Sequence, residues 1–172
     1  MYQSFETERL LLKPTTEADA AFMLELVNTP LWIRYIGDKN VRTIEDATLY
    51  IRNKITPQFE RLGFASYTLV RKSDNVKVGV CGLYDREGLP EIDLGFALLP
   101  AHERQGYACE AASEIIRAGK ENFGINLLQA ITTKDNIASQ KLLKKLGFTL
   151  DGTVTLPHGT EELLLFLLVA NT

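Results

Sequence analysis

The sequence has few of the residues that build metal sites or membrane spans. Its 172 residues include two cysteines, Cys81 and Cys109, and two histidines, His102 and His158. These four residues form neither a CxxC motif nor the spacing of a metal-ligand cluster, so we expect no metal. The longest apolar run, Leu163–Ala170, is far shorter than the roughly 20 residues of a membrane-spanning helix.

An excess of positive charge is also missing. The chain has 19 Lys and Arg against 22 Asp and Glu, for a net charge of −3. The protein as a whole is therefore not attracted to nucleic acid or to anionic membranes, and we expect neither as a partner. The start, MYQSFETERL, lacks the basic and apolar segments of a secretory signal, so we expect a cytoplasmic protein.

What is present fits one α/β (α+β) domain over residues 1–172, with 45% hydrophobic and 24% charged residues and no linker or repeat. Alternation and turn residues predict seven strands, at residues 8–14, 65–71, 77–84, 91–98, 127–133, 149–155 and 161–170. Helices are predicted after Thr16, from Thr43 towards residue 61 with a break or kink at Pro57, over 107–123, and in a short segment ending at Gly147. The strands at 91–98 and 127–133 need a crossover, which predicts one parallel pair in an otherwise antiparallel sheet.

The segment LPAHERQGYACEAASEIIRAGKENF, residues 99–123, is a turn followed by a helix. Unpaired N–H groups and the positive dipole end at a helix start favour an anion such as phosphate. Gly106 permits close backbone approach, Ala108 keeps the helix entry narrow, and Arg104 adds a donor. The same residues also fit an ordinary turn, in which Gly106 relieves strain and Arg104 is solvated. The helix face predicted to pack on the sheet consists of Ala108, Ala111, Ala112, Ile115, Ile116 and Gly119.

The strand EIDLGFAL alternates apolar residues with acidic or small ones. Ile92, Leu94, Phe96 and Leu98 share one face, and Glu91, Asp93, Gly95 and Ala97 share the other. Two carboxylates thus lie on a face where small residues are expected to leave room for a substrate. The acids equally fit a solvated sheet edge or an ion pair with Arg86.

Two motifs in order resemble a known family. GFALLPAHERQGYACEA followed by NIASQKLLKKLGF resembles the Gcn5-related N-acetyltransferases (GNAT). Near the start, ETERLLLKPTTEADA is similar to the branch typified by ribosomal-protein N-terminal acetyltransferases of the RimJ/RimL type. The likeness covers residues 6 to about 150. It implies the GNAT fold, a mixed and mainly antiparallel sheet flanked by helices, and acetyl-coenzyme A (acetyl-CoA) as the acetyl donor.

The resemblance also implies where the cofactor binds. Its pyrophosphate is expected on the turn formed by Arg104, Gln105, Gly106, Tyr107, Ala108 and Cys109, and its pantetheine along Phe96, Ala97, Leu98 and Leu99 like an added strand. Glu103 stands where the family usually has Gln or Arg, a change of little weight if backbone N–H groups make the contacts. Asn136 is expected near the pantetheine and Ser139 near the thiol. By themselves, these two residues also fit a helix cap and a hydroxyl bonded to its own helix.

Acetyl transfer needs a neutral amine, whereas alkyl amines have a pKa of about 10.4. Asp93 is the first candidate for a base acting through water, and Glu91 the second. A backbone N–H near Leu98 is a candidate for stabilising the oxyanion. Many relatives have a Tyr that protonates the leaving thiolate, but this chain has Leu143 there, which leaves Ser139, water or no acid. We interpret Cys109 as a packing residue.

The acceptor is expected to be a primary amine, either a protein N-terminus or a small molecule such as a polyamine, amino sugar or amino acid. The segment TPLWIRYIGDKNVRT occupies a position that helps to wall the acceptor site in relatives. A module that binds acetyl-CoA without turnover is a second hypothesis. A different nucleotide-binding protein is disfavoured, because GxxxxGK[ST] is absent. Both a monomer and a homodimer fit the sequence.

Overall fold

The computed structural model describes residues 1–170 and places eight strands in one sheet, in the order β1-β2-β3-β4-β5-β6-β8-β7. The strands are β1 (Phe5–Glu6), β2 (Leu10–Pro14), β3 (Ser66–Arg71), β4 (Lys77–Tyr84), β5 (Asp93–Leu98), β6 (Leu127–Thr132), β7 (Thr149–Val154) and β8 (Leu163–Val169). All neighbours are antiparallel except β5 and β6, which are parallel. The mixed sheet with one parallel pair is thereby confirmed. The eighth strand is the two-residue β1, which the sequence pattern did not predict.

The helices are α1 (Ala20–Val27), α2 (Pro30–Tyr35), α3 (Ile44–Tyr50), α4 (Thr56–Leu62), α5 (Tyr107–Phe123) and α6 (Ile137–Lys145), with 3₁₀ turns at Glu17–Asp19 and Pro100–His102. The sequence did not predict α2, which starts with Pro30 after a Thr29 cap. Pro57 does not end the second helical region, which continues to Leu62, but the regular α-helix is interrupted just before the proline. A π-helical segment, Ile51–Ile55, precedes α4 and accommodates the missing N–H of the proline.

Helix α5 covers one face of the sheet, where its small residues permit close packing. The residues of α5 that are buried are Tyr107, Ala111, Ala112, Ile115, Ala118 and Gly119. Ala108 and Ile116, which we expected on this face, are only half-buried. A Cβ at Gly119 would lie 3.3 Å from Leu83 Cδ1, so the helix approaches β4 closely. On the opposite face, Thr68 of β3 donates a hydrogen bond to Asp19 before α1 (3.2 Å).

None of the helices within residues 1–170 has the length and apolar character needed to cross a membrane.

Candidate active site

The phosphate-binding turn predicted from the sequence is a loop with two left-handed residues. After β5, Leu99 and the 3₁₀ turn lead to Arg104 (φ 59°) and Gly106 (φ 83°), and α5 begins directly after Gly106. Gly106 is the N-cap but has no side chain with which to cap the helix. The first bond inside α5 runs from Glu110 N–H to the Gly106 carbonyl (3.0 Å). In the described chain, the N–H groups from Arg104 to Cys109 donate to no protein acceptor, as expected of an anion site at a helix start.

The side chains of this turn differ in what they can offer a ligand. Arg104, Gln105 and Gly106 are exposed, whereas Ala108 and Cys109 are half-buried. The Tyr107 side chain is buried in the core, and its hydroxyl accepts a hydrogen bond from Arg71 (3.5 Å). Tyr107 therefore faces away from the turn and can contribute only its backbone to a ligand there.

A gap between β5 and β6 leads to this turn. Asp93 and Gln129 are the one residue pair that joins the two strands within the described residues, and Gln129 N–H donates to the Ile92 carbonyl (2.9 Å). On its other side, β5 pairs with β4 along its whole length, and Leu99 N–H donates to Val78 (2.9 Å). Because bonding direction alternates along a strand, the backbone groups of Phe96 and Leu98 point into the gap.

Asp93 lies where the two strands part. Its side chain is 1% exposed, and Arg86 Nε donates to both of its carboxylate oxygens at 3.2 and 3.3 Å. Burial raises the pKa of Asp93 above its ordinary value, and the charge and hydrogen bonds of Arg86 act against that shift. Of the two alternatives to a substrate-facing acid, the ion pair with Arg86 is the arrangement found for Asp93, and the solvated carboxylate is not. Glu91 is half-buried, and its N–H donates to Gln129 Oε1 (3.3 Å).

The expected room over Gly95 is filled by an aromatic ring. A Cβ at Gly95 would lie 2.8 Å from Cε2 of Tyr84, and a Cβ at Gly82 would lie 2.9 Å from Cζ of the same ring. Tyr84 and Asp93 are partners in the β4–β5 register. The prediction that Gly95 leaves space for a substrate is wrong, because its missing side chain accommodates Tyr84. The alternation pattern could not reveal this, since the ring comes from the neighbouring strand.

Helix α6 presents the second motif beside β6. Asn136 caps it, and its Oδ1 accepts a hydrogen bond from Ser139 N–H (3.2 Å). The alternative in which Asn136 is a helix cap is thus the arrangement observed, with the Nδ2 group still available to a ligand. Ser139 is half-buried, and within residues 1–170 its hydroxyl makes no hydrogen bond to its own helix. Leu143, at the position of the expected Tyr, is buried in the core.

Basic side chains gather on the Arg86 side of the gap. Packing of neighbouring residues lowers the pKa of Lys39, and the positive charges of Arg86 and Lys54 lower it further. Lys39 and Lys54 line a shallow cavity of about 200 Å³ together with Tyr50. Sequence reasoning missed this group, because residues 39, 54 and 86 belong to separate elements. In the described chain, no three His, Cys, Asp or Glu side chains come together as a metal site.

Comparisons with known proteins show which proteins this chain is similar to. The chain is 28% identical over 155 residues to the uncharacterized N-acetyltransferase YoaA of Bacillus subtilis, covering 90% of this chain and 87% of that protein. An acetyltransferase from Agrobacterium tumefaciens has the same fold, with a TM-score of 0.81, 22% identity and coverage of 98% and 95% of the two chains. The ribosomal-protein-S5-alanine acetyltransferase of Vibrio fischeri superposes with a TM-score of 0.77, at 16% identity and coverage of 98% and 97%.

Residues 9–149 match the family model described as the acetyltransferase (GNAT) domain. This match includes the uncapped turn, the parted strands and the start of α6. It confirms the family, the fold and acetyl-CoA as the acetyl donor that the sequence motifs indicated. The chain belongs to the GNAT family of N-acetyltransferases.

Proposed function

We propose that the protein transfers the acetyl group of acetyl-CoA directly to a primary amine that binds on the Asp93 side of the gap between β5 and β6. One observation carries this proposal. The two strands are joined only at Asp93 and Gln129 in the described chain, and the open β5 edge leads straight to the uncapped start of α5. An extended thioester chain and a pyrophosphate therefore find adjoining sites.

In this proposal the cofactor is held mainly by backbone groups. The pantetheine lies along Phe96–Leu99 and pairs with the N–H and carbonyl groups that face the gap. The pyrophosphate accepts hydrogen bonds from the N–H groups of Arg104–Cys109, where the helix dipole also favours negative charge. Asn136 donates from Nδ2, because its Oδ1 is occupied by the α6 cap.

The chemistry needs no covalent enzyme intermediate. The amine nitrogen attacks the thioester carbonyl, the C–N bond forms, and the C–S bond breaks to release the thiolate of coenzyme A. Asp93 accepts the proton of the amine through a water molecule, with Glu91 as the second candidate. The N–H of Leu98 stabilises the oxyanion, and Ser139 or water protonates the thiolate.

The environment of Asp93 supports its proposed part. A carboxylate with a raised pKa holds a proton more readily than a solvated one, which favours proton transfer from the amine. Arg86 still keeps the ionised form accessible, because an opposite charge within hydrogen-bond distance favours it. Burial and the ion pair also fix the direction of the carboxylate.

Lys39 and Lys54, which line one cavity, support an acceptor with a carboxylate or phosphate close to its amine. These cations also disfavour an ammonium ion nearby and so promote the neutral amine. A protein N-terminus is the second candidate, because the structural neighbour from Vibrio fischeri is a ribosomal-protein-S5-alanine acetyltransferase.

The test is thiol release from acetyl-CoA with matched amines. Each pair contains one amine with and one without a neighbouring carboxylate or phosphate, and a peptide beginning with alanine completes the panel. We expect the acidic member of each pair to react faster, and Lys39→Met to reduce that preference. Lys144→Met, on the exposed side of α6, is the control. A preference for the peptide over every small amine would favour the second candidate.

The placement of the pyrophosphate has its own test. Gly106→Glu puts a carboxylate at the turn, and it should abolish the thermal stabilisation that acetyl-CoA gives the wild-type protein. An equal stabilisation of wild type and variant would contradict this placement.

A further inference from the structure

The segment before β2 reaches the phosphate-binding turn through a single side chain. Arg9 Nη1 donates to the Gln105 carbonyl (2.9 Å), and its guanidinium carbon lies 4.4 Å from the centre of the Tyr107 ring. A Cβ at Gly106 would be 3.2 Å from Arg9 Nη2. The guanidinium therefore lies against the backbone of the turn, next to its N-cap.

Glu110 of α5 holds Arg9 in this position. Its Oε1 accepts from Arg9 Nε (2.8 Å), and its Oε2 accepts from both Arg9 N–H (3.0 Å) and Thr7 Oγ1 (2.6 Å). Partial burial acts to raise the pKa of Glu110, but the hydrogen bonds from Thr7 and Arg9 outweigh it and lower the pKa. The carboxylate is thus ionised at neutral pH and fixes both the backbone and the side chain of Arg9.

The bond to Gln105 has a consequence for the next N–H group. In a planar trans peptide the carbonyl and the N–H of one unit point in opposite directions. With the Gln105 carbonyl held by Arg9, the N–H of Gly106 points away from the guanidinium. A rotation of this peptide would break the bond to Arg9 and turn the N–H of Gly106 towards the guanidinium.

We infer that Arg9 is a positioning residue for the cofactor's phosphates, acting through the orientation of the peptide between Gln105 and Gly106. The inference rests on the proposed placement of the pyrophosphate on this turn. It predicts a defect confined to ligands that carry the phosphates, since the pantetheine and acetyl sites lie along β5. A purely structural role of Arg9 would weaken both kinds of ligand alike.

The experiment compares acetyl-CoA with acetyl-pantetheine, which has the same thioester but lacks the phosphates. Calorimetry gives the dissociation constant of acetyl-CoA, and displacement of acetyl-CoA gives that of acetyl-pantetheine. Loss of a hydrogen bond from a charged group predicts that Arg9→Gln weakens acetyl-CoA about tenfold and acetyl-pantetheine by less than about twofold. Arg117→Gln is the matched control, because Arg117 forms ion pairs with Glu114 and Glu121 on the same helix.

Equal weakening of both ligands, or no weakening of either, would overturn the inference. If Arg9→Gln does not fold, Arg9→Lys replaces it. A single ammonium cannot hold Glu110 and the Gln105 carbonyl in the same forked geometry, so the ratio of the two affinities should still fall by about threefold or more. An unchanged ratio in a folded Arg9→Lys protein would also overturn it. If Gly106→Glu binds acetyl-CoA as tightly as the wild type, the proposed pyrophosphate site is wrong. If Gly106→Glu loses acetyl-CoA binding but the Arg9 variants bind it as tightly as the wild type, only the inference about Arg9 is wrong.

Discussion

The replacement Gly95→Ala tests whether the space above β5 belongs to Tyr84 or to the acceptor. The new Cβ would lie 2.8 Å from Tyr84 Cε2 and 3.2 Å from its Cδ2, and the first of these distances is too short for a real contact. The ring also covers Gly82, where a Cβ would be 2.9 Å from Cζ. Because the ring is packed over two strands, it must shift as a whole to relieve the overlap.

Overpacking of this kind typically costs about 1–3 kcal/mol of the free energy of unfolding. For a chain of this length each kcal/mol lowers the melting temperature by roughly 2–4 °C, so we expect a decrease of roughly 2–12 °C. Since Tyr84 and Asp93 are register partners, the shifted ring should also disturb the carboxylate and reduce the rate of acetyl transfer.

The assay is thermal unfolding of four proteins, the wild type, Gly95→Ala, Tyr84→Leu and the double variant. Removing the ring relieves the overlap, so Gly95→Ala should cost much less stability in the Tyr84→Leu background. An unchanged melting temperature for Gly95→Ala, together with a raised KM for the amine, would refute the reasoning. That result would show that the space over Gly95 holds the acceptor.

Three further predictions concern charge and hydrogen bonding. Asp93→Asn should lower kcat by a larger factor than it raises the dissociation constant of acetyl-CoA, because the carboxylate is proposed to contact the amine and not the cofactor. Steady-state kinetics gives kcat and calorimetry gives the dissociation constant. Equal changes in the two quantities would favour Glu91 or water as the base. Ser139→Ala should reduce kcat with the acetyl-CoA dissociation constant kept within about threefold, whereas Ser113→Ala, whose hydroxyl is bonded to its own helix, should change neither. Glu110→Gln should cost about 1–3 kcal/mol of stability at pH 7. In the folded protein the pKa of Glu110 lies below its usual 4.5, so the stabilisation by its carboxylate is lost as the pH falls below 4.5. Denaturant titrations should therefore show that the difference in free energy of unfolding between wild type and Glu110→Gln shrinks over this pH range. A difference that stays constant would contradict the argument.

The parts of the fold that could be predicted are those with a strong local pattern. Strand β4 has the predicted bounds, because a short run of apolar and small residues is flanked by turn residues on both sides. Helix α5 also begins and ends as predicted, after Gly106 and before Gly124. The two-residue β1 has no period to detect. Helix α2 has only six residues, and it depends on the Thr29 cap rather than on an amphipathic pattern.

In the candidate site, too, the features with a local sequence pattern were predictable and those formed by distant residues were not. The turn proposed to bind the pyrophosphate was predictable only as a helix start with open N–H groups, because Gly106 at the N-cap has no side chain to cap them. The surroundings of Asp93 were not, because Tyr84 reaches it only through the register of β4 with β5. The sequence offered Arg86 as one of two alternatives for Asp93, and only the fold distinguishes an ion pair from a solvated acid.

The contact between Arg9 and Glu110 shows most clearly what cannot be predicted from the sequence, because it joins residues 101 positions apart. No local period or turn signal connects the two, and each taken alone fits a solvated surface charge. They meet because of the antiparallel register of β2 to β5. Leu10 pairs with Arg71, Val70 with Lys77 and Gly79 with Leu98, so the start of β2 and the end of β5, after which α5 begins, lie at the same end of the sheet. A turn that was recognisable from its own residues is thus held in place by a residue whose part follows only from the strand order.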